Sequence, residues 1–245
     1  MPENTTAAGP RLGFLYPGHA AEDDYPLLAS LAAARPLVEV VHTSVGEDAH
    51  RIDALLDLGG PERLAAGARR LAGRADAVMW ACTSGSFVFG LDGARRQVAA
   101  VADTLGVPAS STSLAFVEAM AHLGLRRPAI AATYPVDVVD AFVSFLAEAG
   151  VEVLASGAED ILTATEVGTF GLDRIRSFVV AHDHPDADVV LVPDTALHTV
   201  AWISELESAV AKPVLTANQV TMWEALGLAG AARGGQSGLG ALFAR

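Results

Sequence analysis

Cysteine occurs once in this chain, at Cys82, and lysine once, at Lys212. A single thiol closes no intramolecular disulfide and builds no multi-cysteine metal site. Sixteen basic residues face 29 acidic ones, a net charge of −13. So acidic a surface repels phosphate backbones, which excludes nucleic acid as a generic partner. No apolar run approaches the roughly 18–20 residues that a membrane helix needs. The opening residues, MPENTTAAGP, contain no apolar segment of the kind that a secretory signal carries. These absences point to a cytoplasmic protein without a membrane partner, its residues 1–10 forming a flexible N-terminus. Dinucleotide and P-loop spacings are missing too: Gly230–Gly240 is glycine-rich but fits neither and reads as a loop, so no cofactor is implied.

What is present is a chain of 245 residues, 51% hydrophobic and 18% charged, ample for a core without staples. Short apolar blocks predict buried parallel strands at Leu12–Tyr16, Leu37–His42, Ala77–Ala81, Ala129–Thr133, Val151–Leu154, Val189–Val192 and Val214–Thr216. Amphipathic stretches predict helices at Pro61–Ala72, Gly93–Leu105, Leu114–Leu123, Asp137–Ala149, Leu172–His182, Thr199–Val210 and Gln219–Leu226. This alternation is the mark of an α/β fold with parallel sheets.

The chain also repeats itself. Ala75–Thr83 (ADAVMWACT) reads against Ala187–Thr195 (ADVVLVPDT) at an offset of 112. Leu15-Tyr16-Pro17 reads against Thr133-Tyr134-Pro135 at 118, and Val107-Pro108 against Lys212-Pro213 at 105. Each half closes on Leu-Gly-Leu, at Leu123–Leu125 and Leu226–Leu228. Two pseudo-symmetric lobes are expected, each a parallel sheet flanked by helices: residues 11–115 with 217–245, and residues 116–216.

In open parallel sheets, ligands bind beyond the carboxyl ends of the strands. Cys82 and Asp194 sit just past such ends, at equivalent places in the two repeats. Facing each other across a cleft, they would serve the two faces of one planar carbon. The Cys82-Thr83-Ser84-Gly85-Ser86 turn offers hydroxyls and backbone N–H groups to a carboxylate, and a helix start there would favour the thiolate. Further candidates are Tyr16, Pro17, Gly18 and His19, then Tyr134, Thr195 and Asn218 with Gln219. None of these turns carries Arg or Lys. Blander readings stand beside these: Cys82 as an inert core thiol, and Asp194 as the N-cap of a following helix. The His182-Asp183-His184 run reads as a solvated loop rather than a metal site.

The Cys82-Thr83-Ser84 turn, the Pro193-Asp194-Thr195 turn, the Lys212-Pro213-Val214 run with Asn218-Gln219 and Trp223, and the closing Gly240–Phe243 resemble the aspartate/glutamate racemase superfamily. The chain is most similar to its maleate cis-trans isomerase and arylmalonate decarboxylase branch, from about Leu12 to Phe243. That resemblance implies a cofactor-independent enzyme holding a small carboxylate between two strand-end residues, commonly cysteines. Cys82 matches the first of these and Asp194 the second. Thr83 and Ser84 match the donors of a dioxyanion hole, and Tyr134 stands one place from the family's tyrosine.

The expected activity is isomerisation of a small carboxylic or dicarboxylic acid, with maleate as the nearest example and Cys82 adding as a thiolate. Arylmalonate-type decarboxylation is the alternative; the thiol in place of the family's glycine and the missing second thiol count against it. An amino-acid racemase, with Cys82 and Asp194 as unlike bases, comes third, and a non-catalytic carboxylate-binding protein is the reading from another class. A monomer or homodimer is expected.

Overall fold

The structure, a computed structural model, describes residues 9–18 and 20–245. Most of the N-terminal segment and His19 therefore lie outside the described residues. The chain runs β1 (Arg11–Pro17), α1 (Asp24–Leu31), β2 (Leu37–Thr43), α2 (Ile52–Leu58), α3 (Pro61–Leu71), β3 (Ala77–Trp80), α4 (Ser84–Phe87), α5 (Gly90–Leu105) and β4 (Ala109–Ser111). It continues through α6 (Thr112–Leu123), β5 (Pro128–Ala132), α7 (Val136–Glu148), β6 (Ala155–Ala158), α8 (Ala164–Val167), α9 (Leu172–Ala181) and β7 (Val189–Val192). A 3-10 turn at Val200–Trp202 leads into α10 (Ile203–Val210), followed by β8 (Val214–Thr216), α11 (Ala217–Leu228) and α12 (Gly240–Ala244).

Two parallel four-stranded sheets result, ordered β2-β1-β3-β4 and β6-β5-β7-β8. The central strands β3 and β7 are buried at every residue, which is why they read as unbroken apolar runs. Helix ends follow local chemistry. Pro61 opens α3, the Ser111 hydroxyl accepts from the Leu114 N–H at the start of α6, and left-handed Gly106 and Gly124 close α5 and α6. Helices α6 and α11 pack against each other, and α11 also touches β3, β4 and β8. One core cluster draws on both sheets.

The registers refine the repeat. Phe14 lies opposite Met79, and Ile130 opposite Leu191. The offset of 112 thus relates β3 to β7, while β1 and β5 are related by 116 rather than 118. Tyr16 and Tyr134 are therefore not register equivalents; Tyr134 stands two places further along. The shared Leu-Gly-Leu also differs in use. Gly124 ends its helix, whereas Gly227 lies inside α11 because the Arg233 guanidinium packs against it, in the space that a Cβ would fill.

Two strands depart from expectation. The sixth strand is Ala155–Ala158, not Val151–Leu154; the Leu154 N–H bonds Pro128 O, and the ladder to Ala129–Ala132 starts at the next residue. Val151 and Val153 instead pack on the core from the connection. Strand β4, Ala-Ser-Ser, was not anticipated because it holds no β-branched or aromatic residue. In the run at 182–184, His182 pairs with Glu159 and Asp183 with Lys212, each at 2.9 Å.

Candidate active site

Strand ends of both sheets meet at a cavity of about 200 Å³. Its wall includes Tyr16 and Pro17 from the end of β1, Cys82 and Ser84 after β3, and Asp194 and Thr195 after β7. The structure thus brings the two central candidates to one space. It does not bring Thr83, Tyr134 or Asn218 to that wall.

Cys82 is 3% exposed. Its sulfur accepts the Gly85 N–H at 3.3 Å and lies 3.9 Å from Ser84 Oγ. Burial pushes its pKa up to about 12, outweighing the Gly85 and Ser84 donors, and the negative field of Asp194 adds to the rise. Burial works against the expected thiolate: α4 is a single turn of four residues, and its start does not offset desolvation. The turn itself is held rigidly. Trp80 Nε1 and Gln97 Nε2 both donate to Gly85 O, and Gln97 also donates to Gly59 O. A Cβ on Gly59 would collide with Gly85 O. Gly59→Ala is therefore expected to displace this turn, lowering stability by about 1–3 kcal/mol in chemical denaturation and reducing activity with it.

Asp194 has a donor on each oxygen: Ala196 N–H to Oδ1 at 2.9 Å and Thr133 Oγ to Oδ2 at 2.5 Å. The helix that follows begins only at Ile203, so Asp194 caps a local turn and not α10. The loop behind it is fixed through Thr195 O, which accepts from Tyr16 OH at 2.9 Å and from Asn218 Nδ2 at 3.2 Å. Asn218 is wholly buried and also donates to Asp24 Oδ2, so it braces the loop from behind. Tyr134 is likewise a buried support: its hydroxyl donates to Pro193 O at 3.1 Å. Burial raises the Tyr134 pKa well above its usual value, and Asp194 and Cys82 reinforce this. Thr83 Oγ1 lies beside that phenol, fully buried and without a hydrogen bond of normal geometry.

The structure adds residues that the sequence did not single out. His50 is 5% exposed and lines the cavity, with Nε2 at 4.0 Å from Asp194 Oδ2. Its Nδ1 faces Ile161 O at 3.0 Å; a carbonyl only accepts, so Nδ1 carries a proton and Nε2 is left toward Asp194. Apolar Val45, Leu55 and Leu58 complete that side, with Glu47 and Asp48 at its edge. The stretch Glu47-Asp48-Ala49-His50-Arg51 reads as a solvated loop; only the fold reveals that His50 turns inward. Among the described residues, no Lys or Arg lines the cavity.

Asp48 ties this loop to the second sheet. Its carboxylate accepts from Ala164 N, Thr165 N and Thr165 Oγ1 at 2.8, 3.1 and 2.6 Å. Burial alone would raise its pKa, but the Thr165 hydroxyl and these two N–H groups together hold it below the usual value. The tie is therefore complete above the carboxyl's unfolded pKa and is lost as pH falls through the lower folded one. Iodoacetamide is expected to label Cys82 slowly at neutral pH. Asp48→Ala should speed that labelling several-fold at the same pH, measured by intact mass.

Two sheets of one strand order, opposed across a cavity that carries a thiol on one wall and a carboxylate on the other, define an α/β enzyme of the aspartate/glutamate racemase type. Within that class, the chain belongs to the arylmalonate decarboxylase family, whose model matches residues 60–243. The arylmalonate decarboxylase of Bordetella bronchiseptica is 30% identical over 166 residues, spanning 66% of this chain and 68% of that protein. A glycine-to-cysteine, cysteine-to-serine double mutant of arylmalonate decarboxylase, in the liganded form, matches with a TM-score of 0.85 at 24% identity over 96% of this chain and 99% of that one. The Nocardia farcinica maleate cis-trans isomerase, as a cysteine-to-serine mutant with a covalently bound succinylcysteine intermediate, matches at 0.85 with 19% identity over 96% and 98%. The relatives are enzymes of the isomerase or lyase kind, and so is this chain. Among the described residues, no helix is long and apolar enough to cross a membrane.

Proposed function

We propose that the protein releases CO₂ from a small malonate-type acid and that the Cys82 thiol protonates the enediolate left behind. The observation that carries this reading is the place of Cys82: a buried sulfur on the cavity wall that accepts the Gly85 N–H at 3.3 Å, in surroundings that push its pKa up. Such a group keeps its proton until a strongly basic carbon appears. The Gly85 N–H and the Ser84 hydroxyl then stabilise the thiolate that remains. Thr195 offers an uncharged donor to the retained carboxylate, and Asp194, whose two oxygens already accept from Ala196 N–H and Thr133 Oγ, bounds the opposite wall. Apolar Val45, Leu55 and Leu58 suit the rest of the substrate. Family membership supports the same reaction.

Cis-trans isomerisation of a maleate-like acid is the second reading, favoured by the covalent cysteine intermediate of the Nocardia relative. Here it requires Cys82 to surrender its proton before it attacks. Incubation with an arylmalonate and with maleate in D₂O, followed by proton NMR, separates the two. The lyase reading expects a monoacid bearing one deuterium on its α-carbon; fumarate from maleate, without CO₂ from the malonate, sinks it.

A further inference from the structure

Decarboxylation consumes a proton. A malonate dianion loses CO₂ to leave an enediolate, the Cys82 S–H bond breaks as a C–H bond forms, and the enzyme is left as a thiolate. A second turnover requires a proton from solvent to reach that sulfur. The cavity wall offers few groups that exchange protons. Tyr16 OH already donates to Thr195 O and accepts from Ala21 N. Asp48 is occupied by the α8 donors. Glu47 is paired with Arg51 at the exposed edge. Among the described residues of the wall, His50 remains, with its ring fixed at three points: Nδ1 on Ile161 O, its backbone N–H on Leu162 O, and its plane edge-on to Tyr134 at 4.8 Å.

We propose that His50, with Asp194 beside it, is the proton relay that restores the Cys82 thiol after each turnover. Imidazole is the side chain that both holds and releases a proton near neutral pH. The charged groups facing it are Asp194 after β7 and Asp48 and Glu47 on its own loop; Tyr134 after β5 presents a phenol, and Arg51 points to solvent against Glu47 and Asp53. When product leaves, water entering the cavity carries the proton from Nε2 to sulfur, and the imidazole regains a proton from bulk solvent. Atoms balance: one proton enters through His50 for each proton given to carbon. His50 acts through Cys82 and is a positioning and relay residue, distinct from the donor itself.

This inference rests on the lyase reading, and one kinetic experiment separates the two. Full-length wild type and His50→Gln are mixed with an arylmalonate, and CO₂ is followed from the first turnover. Wild type is expected to turn over steadily. His50→Gln is expected to release about one equivalent of CO₂ at the wild-type rate and then slow by 10-fold or more, with added imidazole restoring the steady rate. Equal loss of burst and steady rate, or no loss at all, overturns the relay. Absence of CO₂ from wild type overturns the lyase reading, and the relay with it. Circular dichroism of His50→Gln checks that the burst comes from folded protein.

Discussion

Cys82→Ala is expected to lower the rate of CO₂ release from an arylmalonate by about 10²–10⁴-fold, the usual contribution of a positioned general acid. Substrate affinity should change far less, because the thiol acts on the carbon only once charge has developed there. Fold is expected to survive, since a small side chain replaces a small one at the end of β3 and Trp80 and Gln97 still hold Gly85. Steady-state kinetics and a denaturation curve on the same sample distinguish a lost proton donor from a lost structure. Cys82→Ser tests the chemistry more finely. It keeps the approximate shape, yet an alcohol holds its proton more firmly than a thiol, so most of the loss should remain. A Cys82→Ala enzyme as fast as wild type would remove Cys82 from the reaction.

Asn218→Ala should have the largest effect on stability. Wholly buried, Asn218 donates to Asp24 Oδ2, Thr195 O and Leu197 O at 3.0, 3.2 and 3.3 Å, and accepts from Tyr25 OH at 3.1 Å. Truncation leaves a buried carboxylate short of a partner and a phenol without an acceptor. A cost of about 3–5 kcal/mol follows, on the order of a 6–20 °C drop in Tm for a chain of this size. The loss also depends on pH. Burial already raises the Asp24 pKa against the pull of Asn218 and the Thr199 N–H. Without Asn218 it rises further, so the penalty is full above the variant's folded pKa and shrinks as pH falls through that of the wild type, where the carboxyl is protonated in both folded proteins. A Tm deficit that does not narrow on acidification would show that the carboxylate is not the source of the cost. Activity should fall too, because Thr195 and the loop behind Asp194 lose their brace.

Much of this architecture was readable from apolar periodicity. The runs ending at Trp80 and Val192 are buried on both faces, and nothing but a central parallel strand suits them. Edge strands were harder to place. β6 pairs on one side only, and its Ala-Ser-Gly-Ala carries none of the β-branched signal that the preceding Val-Glu-Val supplies. In the site, Cys82 and Asp194 stood out because each interrupts a repeated pattern at a strand end. Their environment did not, since the protonation of a thiol depends on how much water the rest of the chain removes. Asn218 and Tyr134 are polar residues at strand ends, yet the fold uses them to hold loops. His50 sits in a charged stretch that looks solvated, and its inward turn depends on Ile161 and Leu162, more than a hundred residues away.

The matching strand order of the two sheets has a consequence for the shape of what is made. A duplicated scaffold offers a flat carbon two opposite sides that begin alike. Here only one side ends in sulfur, so under the proposed reaction the new hydrogen arrives from a single direction. An unsymmetrically disubstituted malonate is then expected to give an acid of one hand, whose optical purity measures how completely the two copies have diverged.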